Sequence, residues 1–83
     1  MYEIIISPHA KRELKKIEKT YKQVLSEAIK EIKEDPFLGK PLIQEFSGKF
    51  SYRVGFFRII YKVNVEDKIV NILSAGHRSV IYD

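Results

Sequence analysis

The sequence contains no cysteine, which excludes a disulfide framework and a thiolate metal site. Its two histidines, His9 and His77, stand far apart, so a dedicated metal centre is not expected and no cofactor is implied. Glycine is sparse, and Gly55 and Gly76 are isolated, so there is no glycine-rich phosphate loop. Ser7, Ser26, Ser47, Ser51, Ser74 and Ser79 all lie outside any recognisable nucleophile motif. Neither a signal peptide nor an apolar run of membrane-spanning length is visible, so the expected location is the cytoplasm, with no membrane partner.

What remains is an ordinary globular composition, 45% hydrophobic and 31% charged. The 83 residues are expected to form a single domain, 1–83, with one modest core. Fifteen Lys and Arg against eleven Asp and Glu give a net charge of +4 and a pI near 9.4. That balance permits a polyanionic partner without requiring one.

The order of elements can be read from hydrophobic period and punctuation. Tyr2 to Ile6 is a short β-rich run, and Ser7-Pro8 supplies an N-cap followed by proline at the first helical position. Ala10, Leu14, Ile17 and Tyr21 follow at helical spacing. Thr20-Tyr21-Lys22-Gln23 has the form of a capping box, so a second helix is expected to restart there and to end at Asp35-Pro36. Its apolar stripe is Val24, Leu25, Ala28, Ile29 and Ile32. The stretch from Pro36 to Gly48 lacks a period and reads as a connection packing Phe37, Leu38 and Leu42 at the core edge. Three strands follow, near Phe50–Val54, Phe56–Asn64 and Lys68–Ala75, with turns at Val54-Gly55 and Glu66-Asp67. The expected fold is α+β, in the order βααβββ. An N-terminal strand and an antiparallel helical hairpin precede a three-stranded antiparallel meander.

Alternation along the central strand sends Phe57, Ile59, Tyr61 and Val63 to a core face, and Phe56, Arg58, Ile60 and Lys62 to an open one. The expected turns pair Val63 with Val70, Tyr61 with Ile72, and Arg58 with Ala75. They also set Ser51 opposite Arg58 and Arg53 opposite Phe56. Lys49, Arg53, Arg58 and Lys62 then share the open face with Asn71, Leu73 and Ala75. Gly76 to Tyr82 leaves the sheet beside Ala75, within reach of Arg58. Ile60 and Leu73 make an apolar strip on the open face, of the kind that marks protein contacts.

Several guanidinium groups converging on one spot suit phosphate oxygens, and no carboxylate pair shares their face to do acid–base work. Tyrosine can stack on a base or exchange a proton, and histidine can do either near neutral pH. Each group also has a plainer reading. Arg53 and Lys62 serve equally as solvated strand charges, and Lys49 as a charge flanking a turn. His77 serves equally as a strand-end residue, and Tyr82 as a lid on the core. Arg58 and Arg78 together are harder to explain without an anion.

Three stretches carry a resemblance to a known family. Tyr2-Glu3-Ile4-Ile5-Ile6-Ser7-Pro8-His9-Ala10, then Tyr52 to Tyr61, then Gly76-His77-Arg78-Ser79-Val80-Ile81-Tyr82 resemble, in order, the RelE branch of the RelE/ParE toxin superfamily. The resemblance implies the toxin of a type II toxin–antitoxin pair. It implies cleavage of messenger RNA in the ribosomal A site without metal, and inhibition by an acidic, RelB-like antitoxin. Ribosome-bound messenger RNA would be the other partner, and the toxin alone is not expected to bind DNA. Carried over residue by residue, Arg58 corresponds to the arginine that stabilises the transition-state phosphate, and Arg78 to a second phosphate-contacting arginine. Tyr82 corresponds to the terminal tyrosine that orients the attacking hydroxyl, and Arg53 to a further basic position. Lys49, Arg53, Lys62 and His77 are the expected RNA-binding groups. The chain departs from the pattern of some RelE toxins, which carry a lysine pair on the strand before the central one. Here that strand reads Lys49, Ser51, Tyr52, Arg53, so the general base stays unassigned. ParE-like relatives, which share the fold but act on DNA gyrase, are the alternative.

Overall fold

The structure is a computed structural model that describes residues 1–42 and 48–77. The elements are β1 (Glu3–Ile6), α1 (Pro8–Lys15), α2 (Lys19–Glu34), β2 (Lys40–Pro41), β3 (Lys49–Val54), β4 (Phe57–Asn64) and β5 (Ile69–His77). The five strands form one sheet in the order β1-β5-β4-β3-β2. β3, β4 and β5 are the expected antiparallel meander, whereas β1 pairs parallel with β5, Ile4 beside Val70 and Ile6 beside Ile72. The sheet is therefore mixed. It also gains β2, where Lys40 and Pro41 pair antiparallel with Ser51 and Phe50.

Ser7 caps α1 as its sequence implies, its hydroxyl accepting from the Ala10 amide at 3.1 Å with Pro8 in the first turn. The start of α2 differs from the expectation. Glu18 is the N-cap and makes no side-chain cap bond, so Thr20 sits inside the first turn instead of capping it. Asp35 ends α2, and its Oδ1 accepts from the Phe37 amide at 3.2 Å.

Both helices lie on one side of the sheet. Ala10, Leu25, Ala28 and Ile32 from the helices meet Ile59, Tyr61, Val70, Ile72 and Ala75 from β4 and β5 in a fully closed core. α1 packs chiefly on β5, and α2 on β1 and β3. Phe50, Tyr52 and Val54 pack against the same core, as alternation in β3 requires. Phe37 and Leu38, expected to pack at the core edge, remain 54% and 45% exposed, although the Phe37 ring lies edge-on to Phe50 at 5.8 Å.

The β3–β4 hairpin turns one residue later than expected. Val54 pairs with Phe57 across Gly55-Phe56, and Gly55 takes φ 59°, the positive value that tight hairpin turns need at their first central residue. The β4–β5 connection keeps the expected register at Val63–Val70 and Tyr61–Ile72, then shifts at a β-bulge between Ile60 and Tyr61.

Candidate functional site

The sheet face turned away from the helices holds the basic residues. Directly opposed residues in an antiparallel pair share a face. Arg53 stands opposite Arg58, Ser51 opposite Ile60, and Lys49 opposite Lys62. The revised turn moves the β3–β4 register by two residues, so the pairs change while the faces do not. Arg53 meets Arg58, not Phe56, and Ser51 meets Ile60, not Arg58. Two like-charged cross-strand pairs thus flank a short centre. Ile60 and Ser51 at that centre are buried, at 7% and 9% exposure, so Ile60 does not offer the open apolar strip expected of it. Lys40, brought in by β2 opposite Ser51, extends the same face.

The bulge decides what lies on the other flank of Arg58. It inserts Leu73 between Ile72, opposite Tyr61, and Ser74, opposite Ile60. Ala75 then falls opposite Ile59 and is fully buried, while Gly76 falls opposite Arg58. The expectation that Ala75 would share the face of Arg58 is thereby corrected. Across β5, Arg58 therefore stands opposite a residue with no side chain.

Hydrogen bonds from α1 hold this part of β5. Beyond the end of β1, Glu13 takes over the strand edge. Its Oε1 accepts from Ser74 Oγ at 2.7 Å and from the Ala75 amide at 3.0 Å, with His9 Nε2 at 3.3 Å. Ser7 Oγ donates to the Leu73 carbonyl at 3.2 Å, and the Ser7 amide to the Ile72 carbonyl at 2.9 Å.

Gly76 and His77 belong to β5 instead of leaving the sheet. His77 stands opposite Phe57, so it follows the alternation of the helix-covered side, away from Arg58. With Tyr21, Phe57 and residues of α1 it lines a cleft of about 550 Å³. Of the remaining expected site residues, Arg78 and Tyr82 lie outside the described residues. Lys49 and Arg58 are half-buried, and Arg53 and Lys62 are exposed. Among the described residues no group of three or more His, Asp or Glu side chains converges as a metal ion would need. Nor is any described helix long and apolar enough to cross a membrane.

Lys40, Glu13 and Phe56 were not singled out by sequence. Lys40 sits in a stretch without hydrophobic period. Glu13 reads as one of many helix-surface charges. Phe56 was assigned to the open face, but the Gly-X pair at 55 and 56 is itself a turn signal that would have moved it.

Comparisons with known proteins bear on the family and the fold. A family model described as the ParE toxin of the type II toxin–antitoxin system parDE matches residues 4–82. The chain belongs to the RelE/ParE superfamily of type II toxin–antitoxin toxins. It is 34% identical to the toxin RelG of Mycobacterium tuberculosis, over 98% of this chain and 95% of that one. A chain of the RelBE2 toxin–antitoxin complex of the same organism superposes with TM-score 0.86 at 33% identity, over 93% of this chain and 98% of that one. The isolated Escherichia coli RelE toxin superposes with TM-score 0.80, over 99% and 92% of the two chains. At 22% identity, that likeness speaks to the fold alone.

Proposed function

We propose that this toxin is a metal-independent endoribonuclease that cleaves messenger RNA on the ribosome and so stops translation. The observation that carries the reading is the pair of like-charged cross-strand couples, Arg53–Arg58 and Lys49–Lys62, on one sheet face. Directly opposed cations concentrate positive charge on one strip of the sheet, and a polyanion laid across that strip is drawn to it. The RNA backbone is such a polyanion, and the resemblance to the RelE branch, which implies messenger RNA as substrate, supports RNA as its identity.

The chain offers no motif that marks a side-chain nucleophile, so the attacking group is the substrate's own ribose 2′-hydroxyl. Its oxygen loses its proton to the still unassigned base and forms a bond to the adjacent phosphorus as the bond to the 5′-oxygen breaks. The products are a 2′,3′-cyclic phosphate and a 5′-hydroxyl, which takes up a proton as it leaves. Arg58 and Arg78 stabilise charge on the phosphoryl oxygens, and Tyr82 orients the hydroxyl or the base beside it. Lys49, Arg53 and Lys62 hold flanking phosphates. An acidic, RelB-like antitoxin segment folding across the same face neutralises it and keeps the toxin silent.

The test is cleavage of ribosome-bound message, read by toeprinting. Arg58→Ala lowers the rate by on the order of 10²-fold or more while the melting temperature stays near wild type. A message with a 2′-methoxy sugar at the scissile position resists cutting. Cleavage of that message at the normal rate, or unfolding of Arg58→Ala, overturns the assignment. A second reading, inhibition of DNA gyrase, draws on the ParE name of the matching family model. Loss of gyrase supercoiling with ribosomes unaffected would select it.

A further inference from the structure

At the end of the sheet where β3 turns into β4 and β5 finishes lies an aromatic group that the reading above does not use. Phe56, the second residue of the hairpin turn, is 72% exposed. Turns at this position favour small or polar residues, so a phenyl ring held in water has no local structural reason. The ring is nonetheless oriented. It lies parallel to the His77 imidazole, with 2° between planes and centroids 6.3 Å apart. His77 is met in turn by Phe57, edge-on at 6.1 Å, and Phe57 by Tyr21 at 5.1 Å. The outer pair is thus supported from behind by rings that reach back to α2.

The pair stands at the same end of the sheet as the Arg53–Arg58 couple, with His77 on the helix-covered side and the cations on the other. Phe56 is two residues from Arg58 in a chain rising about 3.3 Å per residue, and the Arg53–Arg58 couple is the last open-face pair before the turn. An aromatic pair and guanidinium groups at one sheet end supply the two components of single-strand recognition, stacking for the base and charge for the phosphate.

We propose that Phe56 and His77 form a stacking platform for one unpaired nucleobase. The RNA strand carrying it crosses the sheet end with its phosphates on the Arg53–Arg58 side. The inference rests on the RNA reading of the preceding section and adds to it a subsite and the residues that build it. Stacking takes any base by its flat face, so the platform fixes position and contributes affinity with little sequence preference.

The probe is a short single-stranded RNA with 2′-methoxy sugars, which cannot be cut, carrying the fluorescent base 2-aminopurine at each position in turn. Stacking on an aromatic ring changes its emission, so the wild-type chain should quench it strongly at one position and weakly elsewhere. Phe56→Leu keeps an apolar side chain but removes the flat face, and should abolish that quenching and weaken binding roughly tenfold. Phe56→Tyr should preserve both, and His77→Ala should reproduce the loss in part. Exposure of Phe56 means its two variants keep the wild-type melting temperature, and circular dichroism verifies the fold of all three.

Quenching and affinity unchanged in Phe56→Leu overturn the platform, even where ribosomal cleavage proceeds and the RNA reading stands. Position-specific quenching lost in Phe56→Leu upholds the platform, even where no message is cut and the cleavage reading fails. A Phe56→Leu variant that binds the probe normally but has lost antitoxin affinity makes this a protein contact and overturns the proposal. So does a wild-type chain that quenches every position equally.

Discussion

Tyr61 carries a hydroxyl into a core otherwise made of hydrocarbon, and that hydroxyl is fully used. It donates to the Pro36 carbonyl at 2.8 Å and accepts from the Gly39 amide at 2.9 Å, tying the segment after α2 to β4. Its ring stacks on Phe50 at 5.5 Å. Gly39 must be glycine for this contact, because a Cβ there would stand 2.5 Å from the Tyr61 hydroxyl. Tyr61→Phe keeps the ring but leaves a buried amide and carbonyl without that partner, which costs about 1–3 kcal/mol. For a domain of this size, each kcal/mol lowers the melting temperature by about 4–8 °C, which calorimetry resolves. The same residue gives a pH dependence. Burial, the largest influence, pushes the phenol above its ordinary 10.0, against a smaller lowering by the Gly39 amide. The neutral form is therefore favoured by folding. Its contribution is intact below pH 10 and is lost as pH rises from there through the folded value. Tyr61→Phe should flatten the alkaline arm of the stability curve. Among the described residues Tyr52 acts in the same direction, raised by burial and then by the Glu31 carboxylate, which accepts from its hydroxyl at 3.3 Å. An unchanged alkaline arm in Tyr61→Phe would remove Tyr61 as its cause.

At the scale of elements, the β5 bulge was the feature least legible in the sequence. Strand type and faces were legible for β3 and β4, because Phe50, Tyr52, Phe57, Ile59 and Tyr61 alternate cleanly. In β5 the alternation Val70, Ile72 leads on to Ser74 as the next inward residue, a polar group in an apolar core. That mismatch was the available signal, and a one-residue insertion resolves it by turning Ala75 inward. The compensating partner, Glu13, lies 61 residues from Ser74, and no local pattern in a charged helix singles it out. The extra strand β2 was illegible for a different reason: two residues are too few to show a period. Glu13→Ala should expose the Ala75 amide and destabilise the domain by about 1–3 kcal/mol. Glu13→Gln keeps a side-chain oxygen as acceptor and should recover most of the loss. Hydrogen exchange at the Ala75 amide is the direct measurement. Equal protection in wild type and Glu13→Ala would mean that the carboxylate does not hold the bulge.

For the whole molecule, the arrangement of charge matters more than its sum. The helices carry lysines and glutamates intermixed, while the sheet face turned away from them gathers Lys40, Lys49, Arg53, Arg58 and Lys62. Glu3 shares that face by register but stands on β1, separated by β5 from the nearest of these residues. A net charge of +4 spread evenly would give a weak, diffuse attraction for polyanions. The same excess on one face yields a site whose affinity depends on how many phosphates it neutralises. Salt titration counts those phosphates, since the slope of log affinity against log salt is about −0.7 per contact for a single strand. Replacing Lys49 and Lys62 together by glutamine should make the slope for single-stranded RNA shallower by about 1.4, weakening binding across all sequences alike. The slope is compared on a double variant whose melting shows it to be folded. Filter binding over a range of potassium concentrations reads the slope, and calorimetry checks the fold. A slope that does not move would mean that the RNA passes elsewhere on the molecule, and the open face would lose its role as the path of the strand.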